Sequence, residues 1–155
     1  MRCEPPRFDH QNLEHKPVIL LLGDLARLHF SRVHTLLSKI GVYRGQPPIL
    51  VHLCKKDGLM QKELADALNL TPPTITDTLQ RMEKAGLLER RTDPEDGRIS
   101  RVYITEKGRM VKRQVDEIIK EIDEETFKGL TEEEKKLFRQ LVLKMIDNLV
   151  KSGNP

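Results

Sequence analysis

Two sets of side chains in this sequence have the type and spacing to bond a nucleic acid. The first is Thr74, Thr76, Asp77, Gln80 and Arg81. Hydroxyls, an amide, a carboxylate and a guanidinium are the groups that hydrogen-bond base edges and phosphates. Through the same run Ile75, Leu79 and Met82 recur at i, i+4 and i+7. A helix here buries that stripe and turns the polar set outward. Thr71 fits the N-cap, its hydroxyl accepting from a first-turn amide. Pro72 follows where a missing N–H costs nothing, and Gly86 suits the positive φ that ends a helix. The second set is Asp96 and Arg98, in the run TDPEDGRIS. An Arg at a hairpin tip can enter a narrow minor groove, where the potential is most negative. Asp96 can orient that guanidinium, or the turn itself, through a charge-assisted bond. Taken alone, the helix face also fits an ordinary solvated surface, and Asp96 with Arg98 a loop ion pair of little energy.

The neighbouring elements favour the first reading. Gln61–Leu68 repeats Leu64, Ala65 and Leu68 at helical spacing, and Asn69 and Leu70 leave a short link to the polar helix. Two helices so joined make a helix-turn-helix. Leu87–Arg91 and Arg101–Thr105 read as short strands. Between them Pro94 suits position i+1 of a turn and Gly97 supplies free backbone angles, giving a hairpin wing.

The rest of the chain supports this unit. Residues 1–16 read as an irregular, flexible arm. From Val18 to Ile40 apolar residues recur at helical steps, in a stripe broad enough to pack on more than one side, and Gly41 ends the run. A short helix runs from Gln46 to about Lys56, and Asp57-Gly58 breaks it. Thr105 can cap a helix from Glu106 to about Lys128, and Gly129 interrupts. Thr131 and Glu134 form a capping box. The last helix carries Leu137, Phe138, Leu141, Val142, Met145 and Leu149. That is more apolar surface than a terminal helix on a monomer needs, and such a patch marks an interface.

Composition narrows the function class. The chain has 155 residues, 33% of them charged and 4% aromatic, with no Trp. This fits one helical domain with helical extensions and a solvated surface. The net charge of +3 is small, but ten Lys/Arg stand against six Asp/Glu from Arg81 to Arg113. A local basic patch is the useful sign of a polyanion partner. The N-terminus has no signal-peptide pattern, and Val18–Leu22 is too short an apolar run to span a bilayer. We expect a cytoplasmic protein with no membrane association. Cys3 and Cys54 form no CxxC pair, and Cys54 sits in a core-like apolar pattern. His10, His15, His29, His34 and His52 show no metal-ligand spacing. Neither a metal nor another cofactor is expected. No Gly-rich phosphate loop, HExxH or GxSxG is present, so an enzyme is not expected.

The run DGRISRVYIT, Asp96 to Thr105, resembles the wing signature D-x-R-x-x-x-V-x-L-T of the MarR family of winged-helix regulators. Asp96, Arg98, Val102 and Thr105 match, Ile104 stands for Leu, and Gly108 matches a following glycine. Gln61–Ala65 (QKELA) and Gly86–Arg90 (GLLER) also resemble the family. The likeness covers about residues 45–113. It implies a mainly α fold with a small β-wing: a winged helix-turn-helix domain (46–110) between an N-terminal dimerisation helix (17–45) and C-terminal dimerisation helices (111–155).

The resemblance further implies a ligand-responsive repressor, bound as a homodimer to a pseudo-palindromic double-stranded operator. Thr74, Thr76 and Gln80, with Asp77 beside them, would face bases. Thr71, Arg81, Arg90 and Arg101 would meet phosphates, and Arg98, held by Asp96, would enter the minor groove. The first and last helices would form the dimer through Leu21, Leu137, Phe138, Leu141, Val142, Met145 and Leu149. A pocket for a small apolar or phenolic effector would be lined by Leu28, Val33, Leu36 and Leu53. Three positions depart from the family pattern. Met60 replaces a Thr or Ser cap, Gly97 replaces a common second wing Arg, and Asp77 stands where Arg is common. Two other readings remain open: a winged-helix interaction module without a DNA target, and a metal- or redox-sensing member of the same class.

Overall fold

In the computed structural model, residues 13–153 are described. Cys3, His10 and most of the expected N-terminal arm lie outside them. The elements run α1 (Val18–Lys39), α2 (Gln46–Lys55), β1 (Leu59–Met60), α3 (Gln61–Leu68), α4 (Pro72–Lys84), β2 (Leu88–Thr92), β3 (Ser100–Ile104), α5 (Glu106–Thr126) and α6 (Glu132–Ser152). The chain forms two compact units, one ending at Ile119 and the other beginning at Lys120, so the division falls inside α5.

The first unit is built on the apolar stripes. Ile49, Leu50 and Leu53 of α2, Leu64 and Ala65 of α3, and Ile75, Leu79 and Met82 of α4 share one core with Leu88, Val102 and Ile104 of the sheet. Ala65 is small and buried among these helices, as its position in the apolar repeat predicts. The sheet is antiparallel, in the order β1-β3-β2. Val102 pairs with Leu59 on one side and Arg90 on the other. On β3, Val102 and Ile104 are buried while Ser100, Arg101 and Tyr103 are not, the period-2 pattern of a strand with one packed face. Strand β1 has no counterpart in the sequence reading. It is two residues long and exists only by pairing with β3.

Helix ends follow local chemistry. At α1, Gly41 takes φ 68, and the Val42 amide returns to the Leu37 carbonyl at 3.0 Å, a Schellman-like stop. At α3 the Met60 amide donates to Glu63 Oε2 at 2.7 Å. Met60 has no oxygen to complete the reciprocal half of a capping box. At α6 the box is complete: the Thr131 amide donates to Glu134 Oε2 at 2.7 Å, and the Glu134 amide to Thr131 Oγ1 at 3.2 Å. These bonds to the charged form hold the Glu134 carboxyl below its ordinary range, the Thr131 amide first.

Most of the broad stripe of α1 is not buried. Only Leu36 and Leu37 are buried, and Leu37 joins Val42 and Val115 in a second small cluster. Val18, Ile19, Leu20, Leu22, Leu25, Leu28 and Phe30 are exposed. In the second unit α6 buries no residue. Its Leu137, Phe138, Leu141, Met145 and Leu149 are exposed, and Phe127 meets Phe138 edge-to-face at 5.9 Å.

Candidate nucleic-acid interface

Helix α4 presents one polar face. Burying Ile75, Leu79 and Met82 leaves Thr74, Asp77, Gln80, Arg81 and Lys84 exposed. Arg81 Nη2 and Asp77 Oδ2 form an i,i+4 ion pair at 2.6 Å. Thr76 is half-buried and does not point freely outward. Its hydroxyl donates to the Pro72 carbonyl at 2.7 Å and accepts from Gln61 Nε2 at 2.6 Å. This is the back-bonding by which Ser and Thr compete with solvent partners inside helices. Thr71 is also corrected: it makes no side-chain cap bond. Its hydroxyl instead meets that of Thr74 at 2.9 Å. The helix start rests on proline geometry, with Pro at its first positions.

The wing is organised by Asp93, which the sequence reading passed over. Asp93 Oδ1 accepts from the Glu95 amide at 2.8 Å and the Asp96 amide at 3.2 Å. Its Oδ2 pairs with Arg101 Nε. The Arg101 guanidinium holds the Asp93 carboxyl below the usual carboxylate range, with the two backbone amides assisting. The available signal was an Asp directly before a turn Pro, a favoured first position of a turn. Arg101 Nη1 also donates to the Gly58 carbonyl at 3.0 Å. Its guanidinium therefore straps the wing to β1 instead of standing free for a phosphate. Arg90 is similarly withdrawn. It lies half-buried with its Nε 3.4 Å from Glu83 Oε2, within ion-pair reach but without hydrogen-bond alignment.

Asp96 orients the turn and not the guanidinium. Its Oδ1 accepts from the Arg98 amide at 2.9 Å, and its carbonyl accepts from the Ile99 amide at 2.9 Å. Arg98 is exposed, and no ion pair to its guanidinium is found among the described residues. Gly97, expected to need free backbone angles, has no positive φ, and a Cβ there would meet nothing within 4 Å. Arg91 pairs with Glu89 and lies over the Tyr103 ring at 4.7 Å.

Two further residues tie this unit together. Asp57, read only as a helix breaker, accepts from the Ile104 amide at 2.9 Å and pairs with Arg109 at 2.8 Å. Thr105 caps α5 by accepting from the Gly108 amide at 3.0 Å, and donates to the Gly86 carbonyl at 2.7 Å. The wing base is thereby fixed to the end of α4.

The four expected pocket residues differ in burial: Leu53 is fully buried in the winged-helix core, Leu36 is buried, Leu28 is exposed, and Val33 packs on the smaller cluster. A cavity of about 400 Å³ lies in the second unit, lined by Phe127, Phe138, Val142 and Leu143 with Asp123, Lys135 and Arg139. Cys54 is half-buried against the core. No described helix is long and apolar enough to cross a membrane.

Comparison with known proteins agrees with this geometry. The MarR family model matches residues 42–100. The chain is 35% identical over 104 residues to the transcriptional regulator HosA of Escherichia coli O111:H-, spanning 67% of this chain and 77% of HosA. It is 31% identical over 112 residues to the organic hydroperoxide resistance transcriptional regulator of Bacillus subtilis (strain 168), spanning 72% and 76%. The crystal structure of MarR superposes with a TM-score of 0.71 at 26% identity, over 95% of this chain and 97% of that one. The chain belongs to the MarR family of winged-helix transcriptional regulators.

Proposed function

We propose that this DNA-binding regulator is a cytoplasmic, ligand-responsive repressor that reads a pseudo-palindromic operator as a homodimer. One observation carries the reading. A single compact unit holds both an exposed polar face on α4 and a pinned wing ending in Arg98, whose guanidinium has no ion pair among the described residues. Helix α4 enters the major groove with Thr74, Asp77, Gln80 and Arg81 toward the DNA, and Thr71 at its start meets a phosphate. Arg98 enters the adjacent minor groove, where its charge gains most. Asp96, Asp93 and Arg101 act through the wing backbone.

One winged helix covers few base pairs, and two related by a two-fold axis read half-sites about 34 Å apart. The exposed apolar faces of α1 and α6 support a second copy as their cover. Leu137, Phe138, Leu141, Met145 and Leu149 belong to that surface, with the half-buried Leu21 and Val142 beside them. The spacing of the two α4 helices is then a two-state variable. A small apolar or phenolic effector that prefers one spacing shifts DNA affinity.

The test is a fluorescence-anisotropy titration on DNA from the chain's own upstream region, beside a scrambled duplex. Tighter binding to the native duplex, with one dimer per site by sedimentation, is the expected result. No binding to any duplex at low salt would leave a protein-interaction module as the better reading.

A further inference from the structure

We propose that Asp77 and Arg81 form one guanine-reading unit, with Asp77 the positioning residue and Arg81 the group that touches the base. The inference rests on the DNA-binding reading above and adds a base preference to it. The polar face of α4 leads there. The Thr76 hydroxyl already donates to Pro72 and accepts from Gln61, and that of Thr74 shares one bond with Thr71 near the helix start. The exposed polar side chains in the middle of the helix are Asp77, Gln80 and Arg81.

An Asp facing a polyanion repels phosphates unless a cation neutralises it or a base donor meets it. Here it is paired: Arg81 Nη2 lies 2.6 Å from Asp77 Oδ2, with the acid one turn before the base, the favourable order on a helix. The two side chains remain 70% and 60% exposed. An exposed pair of this kind contributes little to stability, so folding gives no strong reason for it. Its geometric effect is larger. A guanidinium carries five N–H donors in a planar fork. Asp77 engages one and biases the long stem toward this rotamer, leaving the other donors for a base. Two parallel donors match the O6 and N7 acceptors of guanine, the commonest specific contact in the major groove. Holding the fork in place beforehand reduces the entropy lost on binding.

The experiment is selection of bound duplexes from a randomised pool by the full-length wild type and by Arg81→Ala, Asp77→Ala and Asp77→Glu. Thermal unfolding of each variant serves as the folding control. The wild type is expected to enrich a guanine at one position of each half-site. Arg81→Ala lowers discrimination at that position about ten- to hundredfold, the range of one bidentate contact. It leaves the other positions unchanged. Asp77→Ala relaxes the same position, and Asp77→Glu restores it. Three results overturn the proposal. Uniform weakening of all sequences by Arg81→Ala makes Arg81 a phosphate contact. Loss in Asp77→Ala of a cytosine preference that Arg81→Ala retains makes Asp77 the base reader. Relaxation of different positions by the two variants separates the residues. A wild type that enriches no sequence overturns the DNA reading itself, a separate and recognisable failure.

Discussion

At the scale of single residues, the wing separates side chains that shape it from the one that the proposed reading presents to DNA. Asp93, Asp96 and Arg101 spend their polar atoms on the turn and on Gly58. Among the described residues, Arg98 spends only its amide. A wing tip so built gains or loses a cation without refolding. Gly97 has open space and an unstrained backbone, so Gly97→Arg is expected to fold normally. It should steepen the dependence of log affinity on log salt by about one, read by titration at several salt concentrations. Acid acts on the same turn through Asp93. Its folded pKa is depressed, so its contribution is complete above the ordinary carboxylate range and is lost as pH falls through the lower folded value. Protection of the Glu95 and Asp96 amides, relative to their intrinsic exchange rates, should fall in the wild type only below the ordinary carboxylate range. In Asp93→Ala it should be low at every pH.

At the scale of elements, the fold depends on close contacts at the wing base. A Cβ on Gly108 would overlap the Leu87 carbonyl oxygen and stand 2.7 Å from Ile104 Cγ1. Backbone cannot yield there, so Gly108→Ala should cost about 1–3 kcal/mol, measured by denaturant unfolding. Unchanged stability would contradict the packing described. What the sequence made legible was periodic or local. The Ile75, Leu79 and Met82 stripe, the wing hairpin and the Thr131–Glu134 box all announce themselves within a few residues. What it hid was non-local or competitive. Strand β1 exists through β3, more than forty positions away in pairs such as Leu59 with Val102. The Arg101 strap reaches a carbonyl at Gly58. Thr76 lies on the polar side of the helix but satisfies itself on Pro72, a choice that spacing does not encode.

At the scale of the whole molecule, two apolar helices are left uncovered. Val18 and Leu149 are 78% and 72% exposed, and α6 buries nothing. In the proposed dimer a two-fold partner would cover such faces and convert two weak half-site contacts into one strong one. The double variant Leu141→Glu with Leu149→Glu should sediment as a folded monomer. Its operator affinity should fall by about a hundredfold or more, and a retained dimer would contradict this assignment. The most direct test of the account is the salt dependence of operator binding, compared between the wild type and Arg98→Ala. We predict tight, steeply salt-dependent binding by the wild type. The variant should keep the same thermal unfolding, bind more weakly, and show a slope shallower by about one. Identical affinity and slope for the two proteins would contradict the central claim that this wing ends in a DNA contact.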